Sequence, residues 1–333
     1  LFIDEAGQVS LADLISIGNI AKNIVLIGDQ NQLGQPIRGT HPNESGQSIL
    51  DYLLEGKDTI PEDRGIFLNK TYRLNSKIND FISSNFYEER LICDERTDKR
   101  TIKFDKKSLI KSDGIHYIQM DHKNNVQTSI EEFEVVKDLM QQLIGSDFDD
   151  NGKKRKLTVD DFLIISPYNT QVNLLISKLE EAKIKNPRVG TIDKFQGQEA
   201  PITIISMTSS DNDSLPRNKE FFFSRNRLNV AISRAENVAI IIFNEKLLLA
   251  SANSIEEMKL MNNFLEDVRN PRIWSDIKIV RARKPAKRAR EQDSYQPKRT
   301  SMRILRSNTK RGLCECARVC VGACVWVRVC VGA

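Results

Sequence analysis

The run Val238-Ala239-Ile240-Ile241-Ile242-Phe243 is apolar at every position, and this property restricts the fold more than any other in the chain. A strand with one face in water alternates apolar and polar side chains, whereas one that is apolar throughout must be covered on both faces. Six further runs, rich in β-branched residues, are bounded by polar turn residues: Leu1–Asp4, Ile24–Gly28, Gly65–Leu68, Ile115–Met120, Phe162–Ser166 and Pro201–Met207. Between them the apolar period becomes helical. Ile130, Phe133, Val136, Met140 and Leu143 share one helix face, and Val172, Leu175, Ile176 and Leu179 another. Strands alternating with helices predict an α/β fold with parallel sheets and helices on both faces.

The chain has 333 residues, room for about two domains with cores of their own. No apolar run is long enough for a membrane span, and no membrane partner is expected. The opening Leu1-Phe2-Ile3-Asp4-Glu5 has no initiator Met and no signal-peptide pattern, and reads as a protein cut open inside a strand.

The net charge of +5 is unevenly placed. Residues 271–333 hold 16 Lys/Arg against 4 Asp/Glu, which leaves the preceding body net acidic. Nucleic acid would therefore have to bind in a local basic groove rather than to the body as a whole. Only Cys93 lies in the body, the pattern of a reducing intracellular compartment, nucleus or cytoplasm. Cys314, Cys316, Cys320, Cys324 and Cys330 crowd a tail in which Arg-Val-Cys-Val-Gly-Ala occurs at 318–323 and again at 328–333. Their spacing matches no zinc site, and the tail reads as translated simple repeat without chemistry of its own. Residues 281–311 read as disordered, and Asp147–Lys156 as a polar loop or insertion. Lys284–Arg290 with Lys298-Arg299 has the look of a bipartite nuclear import signal, solvated charge being the plainer reading.

Six segments place polar residues at strand ends. Asp4-Glu5-Ala6-Gly7-Gln8 pairs two carboxylates, one suited to hold Mg²⁺ and the other to deprotonate an attacking water. Gly28-Asp29-Gln30-Asn31-Gln32-Leu33 offers a tight strand exit and an amide that both donates and accepts. The others are Asn69-Lys70-Thr71-Tyr72-Arg73-Leu74, Ile165-Ser166-Pro167-Tyr168-Asn169-Thr170-Gln171, Val189 to Glu199 (Val-Gly-Thr-Ile-Asp-Lys-Phe-Gln-Gly-Gln-Glu), and Arg227-Leu228-Asn229-Val230-Ala231-Ile232-Ser233-Arg234-Ala235.

In this order and spacing the six resemble motifs II to VI of superfamily 1 helicases, and look nearest to the nonsense-mediated-decay and Sen1-like group. Pro61 to Leu68 and Phe221-Phe222-Phe223-Ser224 resemble a branch of that group in which a RecB-like nuclease precedes the helicase. The resemblance implies RecA-like parallel sheets of the P-loop NTPase class. Residues 1–60 would be the remainder of a first RecA-like domain, 61–270 a complete second one, and 271–333 the basic tail. It implies ATP and Mg²⁺ as cofactors, single-stranded DNA or RNA as partner, and a fused upstream nuclease as a further partner. Oligomeric state is open.

Carried over by position, Asp4 would hold Mg²⁺, Glu5 would be the general base, and Gln8 would help hold the nucleotide. Gln32 would sense the γ-phosphate, Arg73 and Arg234 would be arginine fingers, and Glu199 with neighbouring Gly197 would lie at the nucleotide, Glu199 on its ribose. Ser166, Pro167, Tyr168 and Thr191 would touch the nucleic-acid strand. An arginine finger contributes on the order of 10³–10⁵ in turnover; the bland alternative for each Arg, a surface ion pair, contributes little. Tyr168 is equally well read as a half-buried aromatic at a helix start.

Two departures stand against the resemblance. The inserted Gly34-Gln35 before Pro36 follows Gln32 and should matter little. More seriously, no G-x-x-x-x-G-K-[ST] loop occurs in these residues, so the β- and γ-phosphates lack their usual cradle. A nonenzymatic nucleic-acid-binding or scaffolding module is the competing reading. The truncated first sheet is expected to leave an unpaired strand edge. The 333-residue chain by itself should show no nucleic-acid-stimulated ATP hydrolysis in a phosphate-release assay; measurable turnover overturns this expectation.

Overall fold

The computed structural model describes residues 1–34, 41–210, 224–244, 246, 247, 258 and 262, and the backbone of 325–330. In chain order the elements are β1 (Phe2–Ile3), α1 (Leu11–Gly18), β2 (Asn23–Leu26), α2 (Ile49–Leu54), β3 (Gly65–Phe67), β4 (Lys70–Thr71), α3 (Ser76–Phe86), β5 (Ile92–Cys93), β6 (Thr101–Ile102) and β7 (Gly114–Met120). There follow α4 (Ile130–Leu143), β8 (Asp147–Asp150), β9 (Lys153–Lys156), β10 (Phe162–Ile165), α5 (Asn169–Glu181), β11 (Val189–Gly190), β12 (Ala200–Ser206), α6 (Arg225–Ser233), β13 (Ala235–Asn244) and β14 (Val325–Cys330).

The fully apolar runs build one five-stranded parallel sheet, in the order β11-β10-β12-β13-β7. Alternation along each strand divides its side chains between two cores. Leu163, Ile165, Ala239, Ile241 and Phe243 pack on α3 and α6, while Phe162, Ile164, Val238, Ile240 and Ile242 pack on α4 and α5. Helices thus cover both faces, as the apolar runs predict. Side-chain caps set the helix starts: Asn75 accepts from the Ile78 amide before α3, Ser129 from Glu132 before α4, and Ser224 from Arg227 before α6.

A four-stranded sheet, β1-β2-β14-β3, lies beside it. Ile3, Ile24 and Leu26 pack on Ile49, Leu50 and Leu54 of α2. Its other face is open among the described residues: Phe2 is 69% exposed and Ile66 61%. The expectation of two covered faces therefore holds for the larger sheet and not for this one. β1 is an edge strand, as the sequence leads one to expect. β3, which follows the boundary expected at residue 60, joins this sheet through its pairing with β14.

Two segments differ from their sequence reading. Asp147–Lys156 forms the antiparallel hairpin β8–β9, not a polar loop. Its turn, Asn151-Gly152, has φ of 53° and 90°, the backbone that joins two strands with a two-residue connection. Its ladder sets Asp147 opposite Lys156, Asp149 opposite Lys154 and Asp150 opposite Lys153, so the charges that suggest a loop are paired across the strands. From the tail, residues 325–330 form β14, antiparallel to both β2 and β3. Val-Trp-Val-Arg-Val-Cys has strong β propensity, and two strand edges would otherwise stay unpaired. The remaining tail residues, the import-like basic clusters among them, lie outside the described residues. No helix among the described residues is long and apolar enough to cross a membrane.

Ile240 is fully buried in the sheet centre. Ile240→Ala should lower unfolding free energy by about 2–5 kcal/mol in urea denaturation, whereas a loss below about 1 kcal/mol would mean that the core is loosely packed there.

Candidate functional site

The turns that follow β1 and β2 nest against each other. The Ala6 amide donates to the Ile27 carbonyl at 2.9 Å. A Cβ on Gly7 would lie 2.6 Å from the Asp29 carbonyl oxygen, and one on Gly28 would lie 2.7 Å from the Ala6 nitrogen. Glycine is what lets the two backbones approach this closely. Glu5 adopts left-handed backbone, φ 53° and ψ 40°, and its amide donates to the Asp4 carboxylate at 3.0 Å. Burial and then Asp4 push the Glu5 carboxyl up, while Arg234 pulls it down. The Gln8 side-chain nitrogen is buried without a hydrogen-bond partner among the described residues.

Behind this turn lies Asp29, a residue the sequence reading passed over. Its carboxylate accepts from the Tyr87 hydroxyl at 2.6 Å, the Asn31 amide at 2.9 Å and Gln32 Nε2 at 3.0 Å. Burial pushes Asp29 up to about 6 against the pull of those hydrogen bonds. The Gln32 amide is thereby oriented, and Tyr87 is held to Asn229 of α6 at 3.0 Å.

Arg73 and Arg234 are both buried, 4% and 1% exposed. Arg73 Nε donates to Glu199, and Nη1 to the Ser233 carbonyl at 3.5 Å. The carboxylate expected at a ribose is thus engaged by Arg73. Gly197 turns the chain nearby with φ 75°. Arg234 donates to the carbonyls of Val230 at 3.2 Å and Gln198 at 3.3 Å, and no carboxylate among the described residues lies within ion-pair distance of it. Burial, then Arg73, bring its guanidinium down to about 10, with Glu199, Glu5 and Tyr87 opposing. Glu5, Asp29, Arg73, Arg234 and Glu199 are therefore linked in one electrostatic neighbourhood, in which Arg234 acts on Glu5 while Arg73 is engaged with Glu199.

Helix α6 ties this neighbourhood together. Asn226 donates to the Gln30 and Gln32 carbonyls at 2.9 and 2.8 Å, and Asn229 to the Asn31 carbonyl at 2.8 Å. Arg225 holds Asp58 with two bonds of 2.5 and 2.8 Å. These partners are more than 160 residues apart in sequence, and no local pattern announces them. Tyr72, also passed over, is 61% exposed beside Arg73, with Lys70 and Arg96 at 5.7 and 5.2 Å from its ring centre.

The four residues expected on a nucleic-acid strand lie at the carboxyl ends of β10 and β11. Ser166 is fully buried, its hydroxyl 3.1 Å from that of Thr208, so its side chain is a support rather than a contact surface. Pro167, Tyr168 and Thr191 are half-buried. Tyr168 precedes α5 and packs on the core below it, and burial raises its hydroxyl against a hydrogen bond with Ser209. Phe221-Phe222-Phe223 and Gln35-Pro36 fall outside the described residues. No cluster of three or more potential metal ligands occurs among the described residues.

Because burial lifts Asp29 from 3.8 to about 6, the folded chain keeps a proton there that the unfolded chain has already released. The stability this group contributes is fully present below about pH 4 and is lost as pH rises to about 6. Asp29→Asn abolishes that titration. The difference in urea-unfolding stability, wild type minus variant, should fall by roughly 1–3 kcal/mol across this window. A flat difference would contradict a buried carboxyl.

Residues 46–246 match the family described as AAA domain. The DNA replication ATP-dependent helicase/nuclease JHS1 of Arabidopsis thaliana is 25% identical over 79% of this chain and 20% of its own length. An uncharacterized ATP-dependent helicase of Methanocaldococcus jannaschii is 27% identical over 81% of this chain and 39% of its own. The probable RNA helicase armi of Drosophila melanogaster is 28% identical over 74% of this chain and 23% of its own. The chain thus spans from 20% to 39% of the length of these relatives. They are helicases and helicase/nucleases of several kinds, so the likeness is broader than the nonsense-mediated-decay and Sen1-like group named from the motifs. With that match covering the larger sheet and the helices on both its faces, the chain belongs to the AAA domain family.

Proposed function

We propose that this chain is the C-terminal motor part of an ATP-dependent helicase or translocase that moves on single-stranded DNA or RNA. The observation that carries this reading is Arg234, a buried guanidinium with no carboxylate at ion-pair distance among the described residues, electrostatically coupled to Glu5. A buried cation held only by carbonyls favours an incoming anion, because desolvation has already weakened its competing interaction with water.

The residues fit a nucleotide with Mg²⁺. Gln8 offers an unpartnered buried donor, and the glycine-dependent nesting of the two turns brings Asp4, Glu5 and Gln32 to one edge. One carboxylate, Asp4, suffices where phosphate oxygens and water supply the other ligands, as is usual for Mg²⁺. When bound, the nucleotide supplies the phosphoryl bond whose cleavage releases energy. Glu5, its carboxyl raised by burial, takes the proton of the attacking water. Gln32, oriented by Asp29, positions that water. Arg73 and Arg234 offset the charge that develops on the oxygens. Tyr72 presents an aromatic surface beside Arg73 on which a base can stack. Glu199, engaged by Arg73, is released to the ribose only if Arg73 turns toward phosphate.

Helix α6 carries Arg234 and also grips the carbonyls of residues 30–32, so occupancy of the anion site is felt by both sheets. Pro167, Tyr168 and Thr191 would follow the sugar-phosphate backbone, which carries no base information. The relatives' names include both DNA and RNA enzymes, and a fused nuclease of the kind named in one of them is part of this proposal. The scaffold alternative leaves the combination of Asp4, Glu5, Gln32, Arg73 and Arg234 without a purpose.

Two measurements test the reading. Fluorescein-labelled oligo-dT and oligo-dA should bind the chain with similar affinity that weakens steeply with salt; absence of binding overturns the strand assignment. In a version supplied with a phosphate-binding loop upstream of Leu1, Arg234→Ala should lower nucleic-acid-stimulated ATP turnover by on the order of 10³-fold or more. Turnover within a few-fold of the unsubstituted protein removes Arg234 from the chemistry.

A further inference from the structure

The carboxyl ends of the larger sheet hold a second polar cluster that the nucleotide chemistry does not use. Glu132, in the first turn of α4, is fully buried. Its carboxylate accepts from the Ser206 hydroxyl at 2.6 Å, from the Thr208 amide at 2.9 Å to each oxygen, and from His122 Nε2 at 3.0 Å. His122 Nδ1 lies 2.7 Å from the Ser210 hydroxyl, whose oxygen accepts from the Asn125 amide at 2.9 Å. With the ring proton on Nε2 toward the carboxylate, Nδ1 accepts from Ser210, and the donors of this His122–Glu132 network meet acceptors. Asn244, at the end of β13, donates to the His122 carbonyl at 2.7 Å.

What this network holds is the turn after β12. Thr208 has φ 70°, a conformation that a β-branched residue adopts only when its surroundings impose it. Both oxygens of Glu132 grip its amide, and Ser210 is anchored through His122. From the same turn, the Thr208 hydroxyl meets Ser166, and Ser209 hydrogen-bonds Tyr168 while donating to the Val126 carbonyl at 2.5 Å. Glu132 fixes the turn, and the turn fixes the end of β10 and the start of α5.

We infer that Glu132, with His122, is a positioning residue for strand binding: it locks Thr208–Ser210 in the left-handed turn that sets Pro167 and Tyr168 against the nucleic acid. The inference rests on the strand assignment of the preceding subsection. It concerns a helix residue that touches no ligand, and it acts through the turn alone.

Glu132→Gln keeps the shape of the side chain but places an N–H₂ where Ser206 and Thr208 need an acceptor. The full chain and this variant are compared by anisotropy with fluorescein-labelled oligo-dT, and by hydrogen–deuterium exchange. The dissociation constant should rise by about tenfold, the effect of one buried, charged hydrogen-bond acceptor lost. Exchange should quicken in peptides covering 204–210 and 164–170 and stay unchanged in β13. Equal affinity in the two proteins overturns the proposal. Should Glu132→Gln disturb β13 as well, Ser209→Ala carries the test: it cuts the link to Tyr168 and must weaken binding, and unchanged affinity overturns the proposal. Failure of the unsubstituted chain to bind oligo-dT sinks the strand assignment itself, a result told apart by its independence of any substitution.

Discussion

Two guanidinium groups, those of Arg73 and Arg234, are buried side by side, and the arrangement of the site follows from the need to hold them there. Like charges in a poorly solvated place repel, and each must be compensated by something nearby. Arg73 has Glu199. Arg234 has two carbonyls and the more distant fields of Glu199, Glu5 and Tyr87. Among the described residues no carboxylate stands at ion-pair distance from Arg234, so its charge is compensated less directly than that of Arg73. A buried guanidinium held by carbonyls in this way favours an approaching anion, and Glu5 of the acidic turn lies within its electrostatic reach.

The same helix that ends in Arg234 is bonded along its length to the turn that carries Gln32. Asn226 and Asn229 reach main-chain carbonyls, which any residue would offer, so the coupling depends on the shape of the turn and not on its side chains. Asp29 supports that shape from beneath. It is costly to keep ionised, and hydrogen bonds from Tyr87, Asn31 and Gln32 hold it in place at one end of a buried chain leading to α6. A small displacement of α6 would be transmitted to Gln32 through three carbonyl contacts and one tyrosine.

The strands of the larger sheet were legible because a doubly covered strand cannot hide its composition; every residue from Val238 to Phe243 is apolar. The order of the motifs singles out the acidic turn, Arg73 and Arg234 as candidates, and the fold brings Glu5, Arg73 and Arg234 into one electrostatic neighbourhood. Less legible was whatever depends on partners far away in sequence. Asp29 looked like an ordinary turn residue because Tyr87 and Asn229, which give it its environment, lie outside the motif. Glu132 sits among the apolar residues of one helix face, and only the folded chain brings Ser206, Thr208 and His122 to it. The β8–β9 hairpin is hard to see in sequence for a different reason: its charges look solvated until Asp147, Asp149 and Asp150 are set opposite Lys156, Lys154 and Lys153, with Asn151-Gly152 at the turn. The membership of β3 in the smaller sheet is set by pairing with a strand from the far end of the chain, which no local window contains.

In the larger sheet, β13 is the last of the strands to appear in sequence, yet it lies between β12 and β7 and pairs along its length with both. On a ribosome, β7 would therefore emerge more than a hundred residues before its neighbour exists, with an apolar edge awaiting completion. Until residue 244 has left the exit tunnel, β11, β10 and β12 stand on one side of a gap and β7 alone on the other. Folding of this region must be late and nearly all at once, and a chain interrupted before residue 235 would be left with two open edges, a substrate for chaperones rather than a smaller working protein.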